Sequence, residues 1–120
     1  MTGKYIIAGS REFTDFELME KVLKEFEISE IVCGGARGAD LLGKMYGEKY
    51  NIPVKMFPAN WDKFGNKAGP IRNIEMAEYA DALIAFWDGK STGTKHMINE
   101  SNRRKLYTAV IKYIIQSEEW

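Results

Sequence analysis

A single cysteine, Cys33, rules out an internal disulfide, and a single histidine, His96, leaves no cluster with metal-ligand spacing. Neither charge sign prevails: 17 basic residues face 17 acidic ones among 120, so no global field draws the chain onto nucleic acid or acidic membrane, and any basic site is local. No run approaches the roughly 20 apolar residues of a membrane span, and Met1-Thr2-Gly3-Lys4 opens no signal peptide. These absences predict one cytoplasmic domain over residues 1–120, with no membrane partner, no metal and no required cofactor. Repeats and low-complexity segments are also missing. The polar end, Gln116 to Trp120, is expected to fray.

What is present is a regular alternation of short apolar runs and helix-period segments. Tyr5–Ala8 reads as a strand, followed by a helix capped by Thr14 or Asp15 and carrying Phe16 to Phe26. Ile28–Cys33 is the second strand, and a helix follows from Ala39 to Tyr50. Pro53–Phe57 is the third, a loop from Pro58 to Pro70 leads to a helix with Ile71, Ile74, Met76 and Ala77, and Ala82–Phe86 is the fourth. After a loop from Trp87 to Gly93, a helix covers Thr94 to Lys105, and Tyr107–Ile114 closes the pattern. Strands that are apolar throughout are buried on both faces. The expectation is therefore an α/β, Rossmann-like three-layer domain of about five mostly parallel strands with helices on both sides.

Such a sheet binds ligands beyond the carboxyl ends of its strands. The chemically loaded residues fall there: Gly9-Ser10-Arg11 after the first strand, Gly34-Gly35-Ala36-Arg37-Gly38-Ala39-Asp40 after the second, Ala59 and Trp61 after the third, and Asp88, Gly89, Ser91, Gly93 and Thr94 after the fourth. Glycines at a strand-to-helix turn let backbone amides approach an anion, with the helix dipole adding about half a positive charge. The same turn also serves as a plain crossover. Arg11, Arg37 and Arg72 supply permanently charged forks for phosphate. Asp40 can cap its helix, hold Arg37 or accept from a ribose hydroxyl, and Trp61 and Trp87 can stack on a base or pack as core. Ser10, Ser91 and Thr94 have no histidine beside them in this reading, which argues against a serine hydrolase. Cys33 reads as a small buried hydrophobe.

Together, Gly9-Ser10-Arg11, Gly34 to Asp40, Phe57-Pro58-Ala59-Asn60-Trp61, Lys67 to Asn73 with Met76, and Asp88-Gly89 with Gly93-Thr94 resemble the YspA-like branch of the SLOG superfamily over about Tyr5 to Ser101. The resemblance implies a Rossmann-like fold related to DNA-processing protein A and to the "lonely guy" phosphoribohydrolases, of a kind usual in bacteria and phages. It implies a nucleotide or nucleotide-derived ligand of the NAD, ADP-ribose or nucleoside phosphate type, bound by a sensor or binding module. The enzymatic relatives carry Pro-Gly-Gly-x-Gly-Thr-x-x-Glu. Gly93 and Thr94 match that motif, but the glutamate position is Met97, and a thioether cannot activate water or polarise a ribose. Arg72 and Met76 match the relatives' Arg-Lys-x-x-Met helix, with Asn73 for lysine. Phosphate binding is thus expected and no catalytic residue is assigned. The alternatives are a nucleotide N-glycosidase or phosphate-bond hydrolase using Asp40, Asp88 or Glu100, and single-stranded DNA binding along Lys44, Lys49, Lys63 and Lys67 with Trp61 and Phe64. The charge balance argues against nucleic acid. Pairing into a homo-oligomer is left open.

Overall fold

The computed structural model describes residues 2–113. Five strands, β1 (Thr2–Gly9), β2 (Glu27–Cys33), β3 (Val54–Met56), β4 (Ala82–Trp87) and β5 (Tyr107–Lys112), form one sheet in the order β3-β2-β1-β4-β5. Every pairing is parallel. Five helices connect them: α1 (Phe16–Leu23), α2 (Ala39–Lys49), the short α3 (Trp61–Phe64), α4 (Ala68–Tyr79) and α5 (Thr92–Arg103). This is the expected Rossmann-like architecture.

The period of two along β1 assigns the layers. Tyr5 and Ile7 pack with Met19, Leu23, Tyr46 and Ile84 beneath α1 and α2, whereas Ile6 and Ala8 pack with Met76, Ala77, Leu83, Met97 and Ile98 beneath α4 and α5. β1 and β4 are therefore apolar on both faces. At the edges, β3 and β5 are only half-covered and mix polar with apolar residues. The Ile114 end of the fifth strand and the Gln116–Trp120 tail lie outside the described residues.

Several boundaries differ from the sequence expectation. The stretch from Pro58 to Pro70 is not a loop: Asn60 caps α3 through a bond from the Lys63 amide to its Oδ1 (3.1 Å), a 3-10 turn spans Gly65–Lys67, and α4 already begins at Ala68. Pro70 reads as a terminator, but within a first helical turn its missing N–H is an orphan anyway and its fixed φ suits the helix. Likewise α5 begins at Thr92 because Ser91 is the cap, its hydroxyl accepting from the Thr94 amide at 3.4 Å. Trp87 ends β4 rather than opening a loop. Asp15, not Thr14, caps α1, its carboxylate accepting from the Leu18 amide at 3.0 Å. α1 stops at Leu23, and Phe26 packs beyond it.

Candidate functional site

The chain runs outward from β1 through β2 to β3, then returns across β1 to β4. Strand order reverses between β1 and β4, and the loops leaving their carboxyl ends part to form a crevice. The crevice has two lobes. The larger, about 850 Å³, lies among Gly9, Ser10, Asp40, Asn73, Asp88, Ser91, Gly93, Thr94, His96 and Met97. The smaller, about 570 Å³, lies among Gly34, Gly35, Arg37, Met56, Pro58 and Ala59. Arg11, Ala36, Trp61 and Arg72 line both and form the waist. The residues expected at the site border one lobe or the other apart from Gly38, Ala39, Trp87 and Gly89. Gly38 sits behind, at a φ of 81° as the cap of α2, and Gly89 turns against Lys112.

Arg72 is the most constrained side chain here. Its Nη1 donates to the carbonyl of Gly34 (2.7 Å) and, at 3.4 Å, to that of Phe57, tying the ends of β2 and β3 to α4. Its Nε donates to Asn73 Oδ1 at 3.1 Å. The guanidinium passes so close to Gly34 that a Cβ there would lie 2.0 Å from Nη1. Glycine at 34 thus makes room for an arginine. Nη2 makes no hydrogen bond to the described residues and remains available at the waist, and a fork already held in place loses little entropy on meeting an anion.

The glycine turn differs from the expected open cradle. Asp40 Oδ2 accepts from the Ala36 amide at 3.2 Å, so the anion nested under the loop is the protein's own carboxylate. Burial raises this carboxyl to about 6, against the pull of the Ala36 and Gly34 amides and of Arg72 and Arg11. Asp40 neither caps α2 nor holds Arg37. It is the second residue of α2, and Arg37 pairs instead with Glu12 (2.7 Å) on an exposed rim. The Ala39 amide is also engaged, donating to Ser10 O at 3.3 Å.

Opposite, the loop after β4 is fastened from within. Asp88 Oδ1 accepts from the amides of Lys90 and Ser91, both at 2.8 Å, and these donors hold its carboxyl below the usual range. The Asp88 amide in turn donates to Ser10 Oγ at 3.2 Å. The amides of Ser91 and Thr94 thus both have internal acceptors. Trp87 is not a stacking platform: its Nε1 donates to Ser91 O at 3.0 Å and its ring packs on the α4 and α5 layer. Trp61 is half-exposed at the waist and free to stack.

His96 is what the sequence reading missed. It borders the large lobe beside Ser91 and Thr94, with Nδ1 3.1 Å from Asn73 Nδ2 and Nε2 3.8 Å from Glu100 Oε1. Its place two residues after Thr94, in the first turns of a helix that opens on the crevice, was the available signal. Cys33 is fully buried, its thiol pushed up to about 12 by desolvation and donating to Met56 Sδ at 3.3 Å, so it is inert as expected. Among the described residues no group of three or more His, Cys, Asp or Glu is placed to hold a metal ion, and no helix is long and apolar enough to cross a membrane.

Comparison with known proteins gives three findings. The profile of a family described as the YspA, cpYpsA-related SLOG family matches residues 4–64. The gene 61 protein of Mycobacterium phage D29 is 34% identical over 111 residues, covering 83% of this chain and 89% of that protein. The X-ray structure of DNA processing protein A (DprA) from Streptococcus pneumoniae superposes with a TM-score of 0.74 at 18% identity, covering 98% of this chain and 52% of that one. The chain thus spans about half the length of the DprA chain, and the likeness between the two is one of fold.

Proposed function

The chain belongs to the YspA, cpYpsA-related SLOG family, and from that membership and the geometry of the crevice we propose that it binds a nucleotide or nucleotide-derived ligand as a sensor or binding module. The ligand is of the NAD, ADP-ribose or nucleoside phosphate type. One observation carries this reading: Arg72 is fixed by three acceptors with its Nη2 edge left at the waist between two lobes, beside the exposed Arg11 and Trp61. Phosphate meets the arginines there, a base stacks on Trp61, and sugar hydroxyls reach the polar wall of the large lobe. The lobe volumes suit such ligands.

Binding is favoured over cleavage because the carboxylates bordering the crevice already have work within the protein. Glu12 pairs with Arg37, Asp40 holds the glycine turn and Asp88 holds its own loop. Met97, at the glutamate position of the enzymatic motif, is buried, and Glu100 is committed to Arg103 at 2.7 Å. Isothermal titration with AMP, ADP, ATP, NAD and ADP-ribose, followed by recovery of the ligand, tests the proposal. The expected result is saturable binding of at least one compound, recovered intact, and its loss in Arg72→Ala with the fold retained. Absence of binding across the panel overturns the reading, and recovery of a cleaved product replaces it with an N-glycosidase or phosphate-bond hydrolase.

A second reading, single-stranded DNA along the rim, is favoured by one feature, the exposed Trp61 and Phe64 with Lys63 Nζ 5.1 Å from the Phe64 ring centroid. The proposed basic track is short, because Lys49 points to Glu20 at 2.7 Å.

A further inference from the structure

Hydrogen-bond direction fixes the chemistry of the network behind Arg72. The Arg72 Nε–H can only donate, so the Asn73 atom 3.1 Å from it is the amide oxygen, and the Asn73 NH2 faces the other way. That NH2 meets the carbonyl of Gly93 at 3.3 Å and His96 Nδ1 at 3.1 Å. Nδ1 therefore accepts, and the neutral ring carries its proton on Nε2, toward Glu100 Oε1 at 3.8 Å. Asn73 is buried, with 6% of its surface exposed, so water does not readily replace either partner.

We propose that His96 is a positioning residue: its neutral Nε2–H form holds the Asn73 amide, and through it the Arg72 guanidinium, in the orientation that meets the ligand's anionic group. The inference rests on the reading that Arg72 binds that group. A proton on Nδ1 sets two donors against each other. Flipping the Asn73 amide does not help, because its NH2 then faces the Arg72 Nε–H. Protonation of His96 breaks the chain at one joint and loosens Arg72. The charged groups around the ring are Glu100, with Arg103 and Arg104 upon it, from α5, and Arg72 from α4. Across the large lobe stand Asp88 and Lys90 after β4, Arg11 and Glu12 after β1, and Asp40 from α2.

The lone histidine makes the test direct. Long-range proton–nitrogen NMR of the ligand-free protein reads the tautomer of one imidazole, and the Arg72 Nε–H resonance reads the joint it controls. At about pH 8 the expected pattern is a bare Nδ1 and a protonated Nε2, with the Arg72 Nε–H signal moving on the same titration curve as the ring. A proton on Nδ1, or an Arg72 signal indifferent to the ring's titration, overturns the proposal. ADP-ribose, whose diphosphate does not titrate in this range, is then bound by wild type, His96→Asn and His96→Ala from about pH 8 down to about 5.5. Asparagine keeps an acceptor in the Nδ1 position and takes no proton. Its affinity is expected to match wild type at the upper pH and to exceed it by about tenfold at the lower, with alanine weaker throughout. Titration of Asp40 is common to wild type and variants and cancels in that ratio. A constant ratio with binding intact overturns the inference alone, whereas no binding by any form overturns the ligand reading, and the NMR result still decides the network.

Discussion

At Asp40 and Gly34 the chemistry of single residues decides what the glycine turn can do. A carboxylate already fills the amide cradle, so under the proposed function an incoming phosphate has arginine rather than backbone to meet. Two predictions follow at this scale. In Gly34→Ala the new Cβ, 2.0 Å from Nη1, displaces the guanidinium. Stability falls by about 1–3 kcal/mol and ligand affinity by at least about tenfold, read by denaturant unfolding and calorimetric titration. Asp40 makes stability depend on pH. Its native value of about 6 lies above the ordinary 3.8, so the native state holds this proton more tightly than the unfolded chain does. The resulting stabilisation is full below about pH 4 and is lost as the pH rises through about 6. Relative to Asp40→Asn, wild type should therefore lose up to about 3 kcal/mol across that window, measured by urea unfolding at stepped pH. A wild type that holds or gains stability relative to Asp40→Asn as the pH rises through that window would contradict the burial of this carboxyl.

Among the elements, α3 carries Trp61 and the start of α5 carries Ser91 and Thr94 to the crevice. α3 is a single turn lifted over the waist, and it holds Trp61 half-exposed rather than in the core. Trp61→Ala should leave stability within about 0.5 kcal/mol of wild type while weakening a base-containing ligand by about 1–3 kcal/mol, and should leave inorganic phosphate binding unchanged. Equal losses for both ligands would remove the stacking role. At α5 the Ser91 hydroxyl satisfies the Thr94 amide and meets Thr94 Oγ1 at 3.0 Å. Ser91→Ala should cost about 1 kcal/mol in thermal or chemical unfolding. These elements were only partly legible in the sequence. Strand cores such as Tyr5–Ala8 and Ala82–Phe86 announce themselves by unbroken apolar runs, because both faces are covered. A four-residue helix such as α3 has no room for a period of 3.6, and its signal, the Asn60 cap, is indistinguishable from an ordinary loop asparagine.

For the molecule as a whole, the order of the sheet is what creates a site. The return across β1 opens the crevice between the loops after β1 and β4, and it draws Arg11, Ala36, Trp61 and Arg72 from four separate segments onto one waist. The even charge makes a whole-molecule prediction. Binding of a small phosphorylated ligand should weaken only modestly between about 50 and 200 mM salt, whereas single-stranded DNA, if bound, should lose most of its affinity over the same range. A steep salt slope together with tight strand binding would favour the second reading. The sequence by itself determined the layered parallel fold, since strands buried on both faces leave helices no other place. It also determined that the loaded residues follow strands and so share one end of the sheet. Which partners those residues choose was decided only by the tertiary structure. Asp40 turns to the Ala36 amide, Arg37 to Glu12, Trp87 to Ser91, and His96 through Asn73 to Arg72. Hydrogen bonds between segments far apart in the chain, 38 residues from Arg72 to Gly34 and 78 from Asp88 to Ser10, depend on distances and directions that exist only once the sheet has set its order.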